Sequence, residues 1–133
     1  MSERPDPRRG IGRCGEELAA AHLERLGLRV LARNARTPAG EIDIVARDER
    51  ALVFVEVKTR VARRRSLSGV GDCAPLESLR PRQRARLRRA AVAWMAEARL
   101  ARPRPPEIRF DAIAVVLDAQ GRLLRLEHLE GAW

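Results

Sequence analysis

Residues 41–59 hold the pattern that most limits what this chain can become. Glu41–Ala46 alternates apolar and acidic residues at its start, and Ala51–Thr59 is rich in Val with Phe54 near its centre. β-Branched and aromatic side chains fit a pleated, half-buried surface, and each run is too short for a free-standing helix. The polar Arg47-Asp48-Glu49-Arg50 segment divides them, so the two runs are expected to fold back on each other as a hairpin. A sheet must therefore lie at the middle of the fold.

The flanking segments supply the rest of the layers. Residues 12–26 have helical periodicity, and Gly27 stops the helix. Leu28–Asn34 reads as a strand and Thr37-Pro38-Ala39-Gly40 as a turn. Pro81 suits the first turn of a second helix running to about Leu100, with Leu87, Ala90, Ala91, Trp94, Met95 and Ala98 on one face. Ile108–Leu117 and Leu123–Leu129 complete the set as strands. The order is αβββαββ, an α/β layer with a mixed sheet. Residues 1–11 are expected to be a disordered tail and residues 12–133 a single domain. Residues 60–79, with Arg63, Arg64 and Arg65, are expected to form a basic loop.

Composition bounds the function. A chain of 133 residues with 45% hydrophobic content supplies one core. Aromatics are 3% with no Tyr, so that core must be aliphatic. No segment approaches the ~20 apolar residues of a membrane span, and Met1–Gly10 is polar and Pro/Arg-rich, unlike a secretory signal. With Cys14 and Cys73 as the only cysteines, a cytoplasmic, reduced setting is expected. The net charge of +9 favours a polyanion such as nucleic acid as partner, although arginine enrichment throughout the chain would produce the same excess. Of 27 basic residues, only Lys58 is a lysine. That exception suggests a position needing a compact ammonium instead of a planar guanidinium.

Lys58 sits on the hairpin. Strand alternation places Leu52, Phe54, Glu56 and Lys58 on one face and Val53, Val55 and Val57 on the other. On the preceding strand, Ile42 and Ile44 share a face, and Glu41 and Asp43 the opposite one. Pairing Ala46 with Ala51 would set Asp43 opposite Phe54 and diagonal to Glu56, roughly 5–8 Å away between β-carbons. Three carboxylates and one ammonium would then gather on one face. Like charges so placed repel, and a divalent cation such as Mg²⁺, which takes carboxylate oxygens and keeps several waters, would remove the repulsion. Such an ion can activate water and neutralise a scissile phosphate. The plain alternative is a solvated strand face with ordinary salt bridges. Glu16 shares a helical face with Ala19, Ala20, Leu23 and Leu26, so it is expected to point toward the sheet. His22 and His128 have no catalytic spacing, and are expected at a helix surface and a strand end.

Gly40-Glu41-Ile42-Asp43-Ile44-Val45 followed by Phe54-Val55-Glu56-Val57-Lys58-Thr59-Arg60 resembles the signature of the bacterial YraN-like family. That family is similar to archaeal Holliday-junction resolvases and sits in the PD-(D/E)xK nuclease superfamily. Gly15-Glu16, Asn34 and Arg109-Phe110-Asp111 also match, so the resemblance covers about residues 12–117. It implies a restriction-endonuclease-like αβββαβ core, a mixed sheet flanked by helices. It further implies a Mg²⁺ or Mn²⁺ cofactor, Asp43 and Glu56 as metal ligands with the Val57 carbonyl as a third, Lys58 as the catalytic lysine, and Glu16 as the helix glutamate of the resolvase-like branch. Where the family's second helix usually opens with lysine and glutamine, this chain has Arg82-Gln83.

Together these readings give a metal-dependent endonuclease acting on DNA, on branched or damaged structures in particular. The competing expectation is a non-catalytic nucleic-acid-binding accessory domain with the same fold. Arg60, Arg82, Gln83 and the Arg63–Arg65 run would contact the DNA backbone, which gives affinity without sequence readout. A homodimer would suit a junction resolvase by analogy of fold. There is no P-loop, GxSxG or paired Cys/His arrangement to support other chemistry.

Overall fold

The structure is a computed structural model that describes residues 7–62, 80–98 and 105–132. Helix α1 spans Pro7–Arg25 and α2 spans Pro81–Glu97. The strands are β1 (Arg29–Thr37), β2 (Gly40–Arg47), β3 (Ala51–Val61), β4 (Glu107–Leu117) and β5 (Leu123–Leu129). They form one mixed sheet in the order β1-β2-β3-β4-β5. All neighbours are antiparallel except β3 and β4, which run parallel. A parallel pair needs a long crossover, and α2 lies within the one that joins β3 to β4. The result is the α/β fold expected of a restriction-endonuclease-like core. Among the described residues, no helix is long and apolar enough to cross a membrane.

Each face of the sheet is covered by a different helix. Ala19, Ala20 and Leu23 of α1 pack on Ile44, Ala46, Val53, Val55, Ile113, Val115 and Leu117. Ala90 and Ala91 of α2 pack on Val45, Leu52 and Phe54 from the other side. Alternating strand residues thus feed both cores, and β3 is continuously apolar because neither of its faces meets water there. Phe54 anchors the α2 side, edge-on to Trp94 with ring centroids 5.8 Å apart and stacked with Phe110 at 5.6 Å. Fully burying a side chain of this size stabilises by about 1.5–3 kcal/mol.

Three local expectations are corrected. Helix α1 begins at Pro7, so residues 7–11 are helical where a tail was expected over 1–11; Pro is well placed in a first turn because its missing N–H has no helical partner there. The β2–β3 register is two residues away from the one expected, with Ala46 opposite Val53 and Ile44 opposite Val55. A two-residue shift does not by itself change which face a side chain takes, yet it brings Asp43 level with Glu56. Finally, Ile42 and Ile44 do not share a face: Ile44 packs under α1 and Ile42 against α2.

Candidate active site

The change of face at Ile42 marks the place where β2 and β3 part. Their paired residues run from Arg47↔Leu52 to Ile44↔Val55 and stop. A continued ladder would set Val57 opposite Ile42 and leave the Val57 N–H bonded to backbone. Instead, the Val57 N–H donates to Asp43 Oδ2 at 2.8 Å. The aspartate side chain takes the place of a ladder carbonyl, because a freed backbone donor that is partly buried must find an acceptor. A strand residue's N–H and C=O point to the same side, so the Val57 carbonyl looks into the same gap as the Asp43 carboxylate.

Asp43 is crowded by charge of its own sign. Burial, followed by the Glu56 carboxylate beside it, pushes its pKa up from 3.8 to about 7; the single Val57 N–H pulls the other way without matching them. A side-chain hydrogen bond links Asp43 and Glu56, and Glu41 adds a smaller repulsion. Glu56 has one counter-charge close by: Lys58 Nζ lies 3.6 Å from Glu56 Oε1, with the lysine side chain 29% exposed and the glutamate 13%. The two therefore share a face as expected, and the ammonium is both restrained by its partner and open to solvent.

Glu16 reaches this region from the α1 side. Its pKa is raised, first by burial and then by the charge of Asp43, while a hydrogen bond with the Asn34 side chain and the charge of Arg33 lower it. Asn34 holds a left-handed backbone, φ 51°, which Asn tolerates better than most residues. Helix α1 can come this near because residue 15 is glycine: a β-carbon there would occupy the space of the Thr59 side chain. A cleft of about 370 Å³ lies beside Glu16, lined also by Ile11, Gly12, Val57, Thr59 and Val61. A larger hollow of about 520 Å³ lies at the other end of β2 and holds none of the site carboxylates; its acidic residues are Asp48 and Glu49 of the β2–β3 turn.

The structure therefore brings together Asp43, Glu56, Lys58 and the Val57 backbone, with Glu16 within electrostatic range. Among the described residues, no three His, Cys, Asp or Glu side chains converge as a ready-made metal cage. The donor set is two carboxylates and a carbonyl, which suits a hard cation that keeps much of its water. The expected nucleic-acid contacts divide. Arg60 and Arg82 are exposed, whereas Gln83 uses its side-chain carbonyl to accept the Arg80 N–H at 3.3 Å at the start of α2. Arg63, Arg64 and Arg65 lie outside the described residues.

One polar cluster was not anticipated. Asp111, fully buried on β4, accepts from Arg109 Nε at 2.8 Å, Arg109 Nη2 at 3.0 Å and the Gly131 N–H at 3.0 Å. His128 Nε2 lies 2.7 Å from its Oδ2, and His128 Nδ1 lies 3.1 Å from His22 Nε2. A carboxylate only accepts, so His128 donates from Nε2 to Asp111, and its Nδ1 shares one hydrogen bond with His22 Nε2. The two histidines expected at unrelated surfaces are thus one chain joining α1 to the sheet. The available signal was Arg109 and Asp111, two residues apart and so on one face of an otherwise apolar strand.

Comparison with known proteins matches residues 15–115 to UPF0102, described as an uncharacterised protein family. A UPF0102 protein of Acidothermus cellulolyticus is 47% identical over 123 residues, covering 87% of this chain and 88% of the relative. One from Syntrophotalea carbinolica is 44% identical over 126 residues, covering 95% and 93%. One from Parafrankia sp. is 46% identical over 124 residues, covering 92% and 95%.

Proposed function

The chain belongs to the UPF0102 family, the YraN-like family of the sequence resemblance, and from that premise we propose that it is a divalent-metal-dependent nuclease of the PD-(D/E)xK kind acting on DNA, branched or damaged DNA in particular. The observation that carries this reading is the gap between β2 and β3, where the Asp43 carboxylate takes the Val57 N–H at 2.8 Å and stands beside the carboxylate of Glu56. Asp43, Glu56 and the Val57 carbonyl would hold Mg²⁺ or Mn²⁺. Once bound, the ion would supply a Lewis acid for the scissile phosphate and lower the pKa of a neighbouring water. Glu16 adds negative charge from the helix side and takes the hydrogen-bonding help of Asn34.

Lys58 supplies what the carboxylates lack. Its ammonium, held 3.6 Å from Glu56, is a point charge on a flexible stem that can follow a phosphate as it becomes pentavalent. A guanidinium in its place would offer a planar fork and a larger head, which explains a lysine in a chain that otherwise uses arginine. Exposed Arg60 and Arg82 would hold backbone phosphates, a contribution that weakens steeply with salt.

Purified protein is assayed on labelled junction, flap and linear DNAs with Mg²⁺ or Mn²⁺. Cleavage is expected with the metal and is expected to fall at least ~100-fold in Lys58→Ala and Asp43→Ala, the scale of removing one group that stabilises transition-state charge. Equal activity in the variants overturns the proposal. The second reading, a DNA-binding domain without catalysis, draws on the lack of a third converging carboxylate among the described residues. It is favoured if DNA binds while Mn²⁺ titration leaves the NMR signals around Asp43 unmoved.

A further inference from the structure

The two edges of the sheet are built differently. Strand β1 carries exposed Arg29, Arg33 and Arg36, has a register irregularity between Val30 and Ala32, and holds Asn34 in the left-handed region. Charge and irregularity of this kind keep other strands from pairing with an edge. Strand β5 pairs with β4 on one side and carries Leu123, Leu124 and Leu129, exposed by 42, 57 and 46%. Its centre reads Arg125-Leu126-Glu127, and Arg125 and Glu127 form an ion pair with each other along the strand.

We propose that the outer edge of β5, on which no strand pairs among the described residues, pairs antiparallel with β5 of a second copy of this chain, about a two-fold axis at Leu126, to make one continuous ten-stranded sheet. The charge order selects both the partner and the register. With Leu126 opposite Leu126 of the second copy, Arg125 faces Glu127 of the partner subunit, and the symmetry repeats the pair. Residues directly opposite in an antiparallel pair share a face, so a two-fold pairing can slip only in steps of two. One step sets Arg125 against its own copy and the other sets Glu127 against its own copy, and like charges directly opposite are destabilising. Antiparallel pairing also brings the Leu123–Leu124 end of each strand to the Leu129 end of the other, covering the exposed leucines.

The contact is isologous and closes on itself, so it yields a dimer and no filament. The two-fold axis runs through the sheet, so both copies of α1 stand on one side and both copies of α2 on the other. The two β3 strands lie five inter-strand spacings apart, about 24 Å at ~4.8 Å each. This inference stands independently of the nuclease reading.

Sedimentation of the full chain tests it. The wild type is expected at twice 14.9 kDa. Arg125→Glu and Glu127→Arg, each alone, are expected to be monomers with unchanged circular dichroism, since each places like charges opposite one another twice. Mixing the two variants is expected to restore a dimer containing one of each, because every cross-strand pair is then of opposite sign. A change that merely weakened the monomer's own Arg125–Glu127 pair would not be repaired by mixing. A monomeric wild type at concentrations up to roughly 100 µM, single variants that dimerise like the wild type, or a mixture that stays monomeric would each overturn the proposal.

Discussion

Asp43 and Asp111 are chemically the same group, one partly and one fully buried in the same sheet, and the fold treats them in opposite ways. Asp111 is met by a guanidinium, an imidazole and a backbone N–H, and its pKa is lowered despite complete burial. Asp43 is met by the Glu56 carboxylate and one backbone N–H, with a smaller repulsion from Glu41, and its pKa is pushed up to about 7. Burial penalises the charged form in both; the neighbours decide the sign. A site finished with its own counter-charges serves stability. A site left short of positive charge has room for a cation from outside the chain, which is why the proposed function rests on Asp43 and leaves Asp111 to the architecture.

The strongest way to break this contrast is Asp111→Ala. It strands the Arg109 guanidinium beside a buried cavity, and a loss of about 3–5 kcal/mol is expected in denaturant unfolding at pH 7. A loss under about 1 kcal/mol would mean that the cluster is not structural. Asp43→Asn should act in the other direction. It removes the like charge, so the metal-free variant is expected to be more stable than wild type at pH 8, by an amount on the order of 1 kcal/mol or more. If Asp43 holds the metal as proposed, Mn²⁺ is expected to stabilise the wild type by ~2.7 kcal/mol at a hundred times the dissociation constant, and Asp43→Asn is expected to lose that gain.

The pH dependence sharpens the comparison further. For Asp43 the folded state holds a proton that the unfolded chain has lost between 3.8 and about 7. Its contribution to stability therefore declines as pH rises through that window. For Asp111 the folded pKa lies below the ordinary value, so its contribution is present above that value and lost as pH falls through the lowered one. Unfolding free energy measured from pH 3 to 8 should show the neutral-side decline shrink in Asp43→Asn, with the smaller part owed to Glu16 left, and the acid-side decline remain. The smallest effect is expected from His22→Ala, which removes the outermost member of the Asp111 chain: about 0.5–1.5 kcal/mol by the same measurement.

The sequence pattern was informative wherever it repeats and uninformative wherever it breaks. Alternation placed Glu56 and Lys58 on one strand face, and helical spacing aimed Glu16 at the sheet. Register was out of reach because a period of two cannot tell a pairing from its neighbour two residues away, so Ala46 was matched with Ala51 and not Val53. The parting of β2 from β3, with Ile42 rolled to the α2 side, was equally hidden. It depends on the Asp43 side chain outcompeting backbone for the Val57 N–H. His22 and His128 are 106 residues apart, and no local pattern relates them.

The contact between Gly15 and Thr59 sets a tolerance on everything beside it. With no clearance for even a methyl group, the height of α1 over β3 is a fixed quantity at the residue next to Glu16. The spacing between helix and strand at that point is thus written into one missing side chain, and any larger residue at position 15 would lift the neighbouring glutamate away from the sheet with it.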